Sequence, residues 1–263
     1  MTAAVLALLL AHEDLELQIA EVTRRLADEP RSAELHLKRG ELHRFHEDWA
    51  AARADYDRAA RLDPALAEVD LARGRMWLGA GSPEQAEAAL DRFLGKRPDH
   101  AAALLERARA RTRRGRHAAA TEDFTRALSL LAEPKPDFFI ERAQAQAAAG
   151  ERDAAVRGLE EGLRKIGPIV TLELAALDLE VEGRRYDAAL RRLERLAAGT
   201  PRPEPWLVRR GEVLRQAARP REAAEAFRAA LAAIESLPPS RRSVKATREL
   251  ESRARNGVKE AAE

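Results

Sequence analysis

Apolar residues recur along this chain at intervals of three and four within segments of 12 to 15 residues, as at Leu35, Leu42 and Phe45 or Leu172, Leu177 and Leu179. That spacing puts them on one face of an α-helix. Short breaks separate the segments: Glu47-Asp48, Gly81-Ser82-Pro83, Gly115-Arg116, Gly150-Glu151, Gly183-Arg184 and Arg219-Pro220. Such residues suit helix ends and tight turns. The pattern predicts an all-α chain built of consecutive helix–turn–helix pairs.

The pairs follow a period. Pro30, Pro64, Pro98, Pro134, Pro168 and Pro201 stand 34, 34, 36, 34 and 33 residues apart. This period divides the chain into six units, residues 33–66, 67–100, 101–134, 136–169, 170–203 and 204–237. The twentieth position of each unit is alanine (Ala52, Ala86, Ala120, Ala155, Ala189, Ala223), and the residue four further on is large and apolar (Tyr56, Leu90, Phe124, Leu159, Leu193, Phe227). A small residue lets two helices approach, and a large one a turn later fills the adjoining gap. The eighth position is small in five units, at Gly40, Gly74, Ala108, Ala143 and Gly211, with Leu177 the exception. Position 27 is small at Ala59, Ala127, Gly162 and Ala230 but large at Phe93 and Leu196.

The stretch AELHLKRGELHRFHEDWAAARADYDRAARLDP, with Gly40, Ala52, Tyr56, Ala59 and Pro64, resembles a tetratricopeptide repeat, and the resemblance extends over residues 33–237. It implies a right-handed α-solenoid of antiparallel helix pairs, a superhelix whose first helices line a concave groove. It also implies a protein–protein interaction scaffold. In the family geometry the groove is lined from unit one by Leu37, Lys38, Glu41, Arg44 and Phe45, and from unit two by Leu71, Arg75 and Leu78. Leu105, Glu106, Arg109 and Arg113 follow, then Ile140, Glu141 and Gln144, with Leu174, Asp178, Val208, Glu212 and Arg215 beyond. A family mode that grips a peptide's terminal carboxylate uses Lys and Asn on successive first helices, and the one asparagine here, Asn256, lies outside every unit. What is left is a mixed groove. Arg44, Arg75, Arg109 and Arg113 offer bidentate pairing to an acidic segment of a protein or peptide, with apolar contact from Leu37, Leu71 and Leu105. Alternatively these charges pair with one another along and between helices, and the array serves as an assembly appendage of an enzyme system without capturing a peptide.

A repeat array needs covered ends. Leu15, Ile19, Val22 and Leu26 form one apolar stripe and predict a capping helix over residues 12–32. After Pro238-Pro239, Ser240 can cap a further helix striped by Val244, Thr247, Leu250 and Ala254, with Asn256-Gly257 as its stop and a frayed tail from Val258, all within residues 238–263.

Composition adds constraints. Hydrophobic residues make up 45% but aromatics only 4%, which favours many thin helical layers over one thick core. The net charge of +2 does not by itself point to nucleic acid or a membrane surface, although the N-terminal quarter is acidic and the C-terminal quarter basic. Without cysteine there is no disulfide, thiolate nucleophile or Cys-based zinc site. His36, His43 and His46 share one helix and are weak metal candidates, with packing or rim roles as the alternative. The chain has no HExxH, no phosphate-cradling glycine loop and no G-x-S-x-G, so neither a catalytic residue nor a cofactor is expected. The cluster RTRRGRH at 111–117 would complement the negative end of a helix dipole. Glu106, Glu122 and Asp123 interrupt it, so nucleic-acid binding is not expected.

No stretch reaches the roughly 20 apolar residues that a membrane-spanning helix needs. The run from Ala3 to Ala11 is left without a packing role by the repeat phase, and it resembles the apolar core of a signal peptide, although no Lys or Arg precedes it. Residues 1–11 are therefore read as an export segment, implying an exported or periplasmic protein, or else as an extension of the capping helix.

Overall fold

The computed structural model describes residues 3–261, with side chains from residue 14 onward. The fold is an all-α solenoid; among the described residues there are only helices, turns and loops. The chain divides into two compact units, Met1–Ala149 and Gly150–Glu263. The first holds α1 (Ala3–Asp28), α2 (Ala33–Phe45), α3 (Trp49–Leu62), α4 (Glu68–Gly79), α5 (Pro83–Lys96), α6 (Ala101–Arg113), α7 (His117–Leu130) and α8 (Pro136–Ala148). The second holds α9 (Arg152–Ile166), α10 (Val170–Glu182), α11 (Tyr186–Ala198), α12 (Glu204–Gln216), α13 (Pro220–Glu235), α14 (Pro239–Arg242) and α15 (Lys245–Glu260). Helices pack chiefly on their chain neighbours, α2 on α3, α4 on α5 and α6 on α7 in the first unit, and α10 on α11 and α12 on α13 in the second. Of residues 1–11, read from the sequence as an export segment or as an extension of the capping helix, residues 3–11 form the first turns of α1 and residues 1 and 2 lie outside the described residues.

Local chemistry sets the helix starts. The Ser32 and Asp48 side chains accept from the backbone N–H groups of Leu35 and Ala51, and His100 Nδ1 accepts from that of Ala103. Proline sits in the first turn of α5, α8 and α13, where a missing N–H removes no helical bond. The turns inside the pairs share one device. Glu47, Gly81, Gly115, Gly150, Arg184 and Ala218 all have positive φ, between 56° and 86°. Each is the fifteenth residue of the thirty-four-residue frame, and three of them are not glycine.

The packing follows the small–large alternation. Ala52, Ala86, Ala120, Ala155, Ala189 and Ala223 are wholly buried, and Tyr56, Leu90, Phe124, Leu159, Leu193 and Phe227 are at most 1% exposed. Gly40 explains the small eighth position: a Cβ there would lie 2.5 Å from the Tyr56 ring. Gly74 and Gly211 meet Leu90 and Phe227 in the same way.

The C-terminal end differs from the sequence expectation. Ser240 lies inside the four-residue helix α14, and Val244 takes the N-cap position of α15. α15 passes through Asn256-Gly257 to Glu260, because Gly257 is buried against the Phe227 ring and its missing side chain admits that ring. Close packing, not helix termination, accounts for this glycine.

Candidate functional site

Within the first unit, α2, α4, α6 and α8 carry the residues that the sequence assigns to a binding face. α2 packs on α4 and α4 on α6. Arg109 Nε and Nη2 donate to Glu141 at 2.7 and 2.9 Å, joining α6 to α8 as a bidentate pair, with Glu106 at 3.4 Å. Arg113 Nη1 donates to the Leu78 carbonyl at 2.6 Å, joining α6 to the C-terminal turn of α4. An open cavity of ≈ 290 Å³ between these groups is lined by Arg109, Thr112, Arg113, Phe124, Glu141 and Gln144. The structure thus brings Arg109, Arg113 and Gln144 together.

At the α2 end, Arg44 Nη2 and Nε donate to Glu41 at 3.0 and 3.2 Å, and the Tyr56 hydroxyl donates to the same carboxylate at 2.6 Å. Burial works against the ionised Glu41, but the bonds from Arg44 and Tyr56 outweigh it and hold its carboxyl below the usual range. Burial and the bond to Glu41 push the Tyr56 hydroxyl pKa far up. The Arg44 guanidinium lies 4.2 Å from the centroid of Phe45, which is 62% exposed. Lys38 is exposed, Leu37 and Ile140 are half-buried, and Gln144 is exposed. Arg75 has no hydrogen bond or ion pair among the described residues, though its charge helps to lower the Glu41 pKa.

Three sequence-assigned residues are corrected. Leu71, Leu78 and Leu105 are between 5% and 8% exposed and belong to the core cluster with Leu90, Phe93 and Phe124. Their side chains pack between helices and are not presented to a partner. In the second unit Val208 is likewise buried, while Asp178 accepts from Arg209, Glu212 from Arg253, and Arg215 pairs with Glu260.

The histidines separate. His36 Nδ1 lies 3.0 Å from Asp55 Oδ1 and His43 Nε2 4.0 Å from Asp55 Oδ2, whereas His46 faces Glu16 at 4.0 Å. Among the described residues no three His, Cys, Asp or Glu side chains converge as metal ligands. His36 and His43 instead serve a buried carboxylate. Asp55 also takes both Arg39 bonds at 2.8 Å, and against burial, which opposes ionisation, Arg39 and His36 keep its pKa low.

The RTRRGRH cluster places Arg111 and Arg113 in the last turn of α6, as the dipole reading expects, and also serves a second purpose. Arg111, Arg114 and Arg116 all donate to Glu87, a carboxylate only 2% exposed on α5. Burial raises the Glu87 pKa, but these guanidinium groups bring it below the usual range. Sequence reasoning missed Glu87. Nothing in the local pattern distinguishes it from the exposed Glu84 one turn earlier, and its signal lies 24 residues away at Arg111.

A family model described as Tetratricopeptide repeat matches residues 71–137 and 174–238, together half of the chain. The chain belongs to the tetratricopeptide repeat family. Repeats of this kind are protein-interaction scaffolds. Among solved structures, a tetratricopeptide repeat protein from Parabacteroides merdae is 17% identical with a TM-score of 0.57 over 94% of both chains. PilW, described as a type IV pilus biogenesis factor, is 20% identical at TM-score 0.57, over 73% of this chain and 89% of its own. MamA is 21% identical at TM-score 0.53, over 59% of this chain and 84% of its own. At these identities the likeness is one of fold. No curated protein sequence matches the chain. Among the described residues no helix is long and apolar enough to cross a membrane.

Proposed function

We propose that this tetratricopeptide repeat protein is a non-catalytic scaffold that holds a protein or peptide segment on the face formed by its first helices. In this reading the array consists of the six pairs at 33–66, 67–100, 101–134, 136–169, 170–203 and 204–237, capped by residues 12–32 and 238–263. The observation that carries the proposal is the division of charge on α2, α4, α6 and α8. Arg44 and Arg109 are neutralised by Glu41 and Glu141, whereas Lys38 and Arg75 have no ion pair among the described residues and Arg113 contacts only a carbonyl. Those three cations, beside the exposed Phe45 and the half-buried Leu37 and Ile140, favour an extended segment that is acidic and carries an apolar side chain.

A peptide array probed with the full chain and with Arg75→Glu/Arg113→Glu tests this. A bound acidic peptide should lose about tenfold or more in affinity in the variant, as expected when one or two charge-assisted hydrogen bonds are lost. Arg113→Glu gives up the bond to the Leu78 carbonyl, at a cost of about 1 kcal/mol, so the variant should melt somewhat lower with its helical content unchanged, and circular dichroism checks that it is folded. Unchanged affinity would favour an assembly role without capture on this face.

A further inference from the structure

Among the described residues α15 packs on α12 and α13, with the short α14 ahead of it. Thr247, Leu250, Ala254 and Gly257, spaced 3, 4 and 3 residues apart, face α12 and α13. By contrast α12 is packed on both sides, by α11 and α13. On the outer side of α15, Lys245, Arg248, Ser252, Arg255 and Lys259 are all exposed and spaced 3, 4, 3 and 4 residues apart. At about 100° per residue these five positions fall within an arc of roughly 80° and extend about 21 Å along the axis. No carboxylate lies in that arc; Glu249, Glu251 and Glu260 flank it.

The stripe is only weakly neutralised. Arg248 and Lys259 have no ion pair among the described residues, and the Lys245–Glu249 pair is 3.9 Å long with both side chains well exposed. Arg255 pairs with Glu251 at 2.5 Å. Arg241 and Arg242 of α14 are exposed just ahead of the stripe, and Val244, between them and it, is 51% exposed.

We propose that the outer face of α15 docks an acidic helix whose Glu or Asp side chains recur at alternating three- and four-residue spacing. The five positions, four cations and Ser252, repeat at an average of 3.5 residues, which is the repeat at which two helices keep a shared seam. The apolar face of α15 is already buried on α12 and α13, so it is not free to enter a lipid surface. The stripe carries no aromatic residue on which nucleic-acid bases would stack.

The test uses the full chain and a 21-residue helical peptide with Glu at heptad spacing, a scrambled peptide of the same composition, and anionic phosphatidylserine vesicles, compared by titration calorimetry and co-sedimentation. Binding of the heptad peptide at least tenfold tighter than the scrambled one, with at least a tenfold loss in Lys245→Glu/Arg248→Glu/Lys259→Glu, supports the proposal. The variant should melt with the parent, since the altered side chains are exposed, and Arg75→Glu/Arg113→Glu should leave this binding unchanged. Equal binding of both peptides, undiminished binding by the charge-reversed chain, no binding, or a preference for the vesicles would each overturn it.

Discussion

The charged clusters at Asp123 and Arg192 occupy the same place in two different helix pairs, with the charges exchanged. In α6–α7 a buried aspartate, Asp123, receives Arg107 at 2.7 and 2.8 Å and Arg111 at 2.8 Å. In α10–α11 a buried arginine, Arg192, donates to Glu180 at 3.0 and 3.1 Å and also to Glu160 and Glu173. Both couple residues 12 apart, Arg111 with Asp123 and Glu180 with Arg192, and His43 faces Asp55 at the same separation. A basic and an acidic residue thus face each other at these two positions in units 33–66, 101–134 and 170–203, on either helix, whereas the other three units hold Trp77 and Ala89, Gln146 and Gly158, and Leu214 and Ala226 there. Burial works against the charge on Arg192, and its three carboxylates more than compensate, pushing its pKa further up.

The clusters differ in redundancy, and that predicts the largest effect. Arg107 and Arg111 have second carboxylates in Asp91 and Glu87, so Asp123→Asn leaves both cations partnered. Arg192 is the cation shared by three carboxylates, one of them Glu180 at 5% side-chain exposure. Arg192→Met should therefore cost about 3–5 kcal/mol, as when one partner of a buried pair is removed. Asp123→Asn should cost about 1–3 kcal/mol. Denaturant titration of both variants checks the order, and equal costs would remove the distinction. Adding Glu180→Leu to Arg192→Met should recover part of the loss, because an apolar pair is tolerated where an unpaired charge is not.

Helix approach gives the next contrast. Gly40 and Gly211 admit the Tyr56 and Phe227 rings, whereas the equivalent position opposite Leu193 is filled by the buried Leu177. Gly40→Ala and Gly211→Ala should each lose about 1–3 kcal/mol through overpacking. Leu177→Ala should lose about 2–5 kcal/mol for the opposite reason, a cavity. Thermal melts of the three variants test whether one site solves the close approach with the backbone and the other with a side chain.

Acid separates carboxylate-centred clusters further. Glu41, Asp55 and Glu87, all in the first unit, have lowered pKa values. A lowered folded-state pKa contributes stability above the unfolded value and loses it as pH falls through the folded one. The first unit should thus hold its stability at neutral pH and lose it progressively below about pH 4–5. Trp49 and Trp77 report on this unit once Trp206→Phe has silenced the second; a flat urea midpoint from pH 6 to pH 3 would contradict the assignment.

The smallest effects lie in the turns. Glu47, Arg184 and Ala218 adopt the left-handed backbone that Gly81, Gly115 and Gly150 adopt. Glu47→Gly, Arg184→Gly and Ala218→Gly should each gain about 0.5–1 kcal/mol, and Gly115→Ala should lose a similar amount. Denaturation midpoints of the single variants measure it.

Much of the fold was legible because backbone approach leaves its mark on residue size at a fixed phase. Ala52 with Tyr56 and Ala223 with Phe227 announce helix contacts from sequence alone. Even so, the turn at Gly183-Arg184 places its positive φ on Arg184, one residue past the glycine. The binding face was less legible. A groove position follows from the helical phase, but whether Leu71 or Leu105 is covered depends on the neighbouring helix. Whether Arg109 is free depends on Glu141, 32 residues away. Most charges proved to be engaged with other charges of the chain, which among the described residues narrows the accessible cations on α2, α4, α6 and α8 to Lys38, Arg75 and Arg113.

Whether the first helices form the binding face is decided by photo-crosslinking a peptide selected for binding to the full chain, with the reactive side chain placed in turn at Phe45, Gln144, Arg58 and Glu122, all four exposed. Crosslinks from Phe45 and Gln144, on the first helices α2 and α8, and none from Arg58 and Glu122, on the second helices α3 and α7, are the predicted result. Crosslinks confined to Arg58 and Glu122 would refute binding on the first helices.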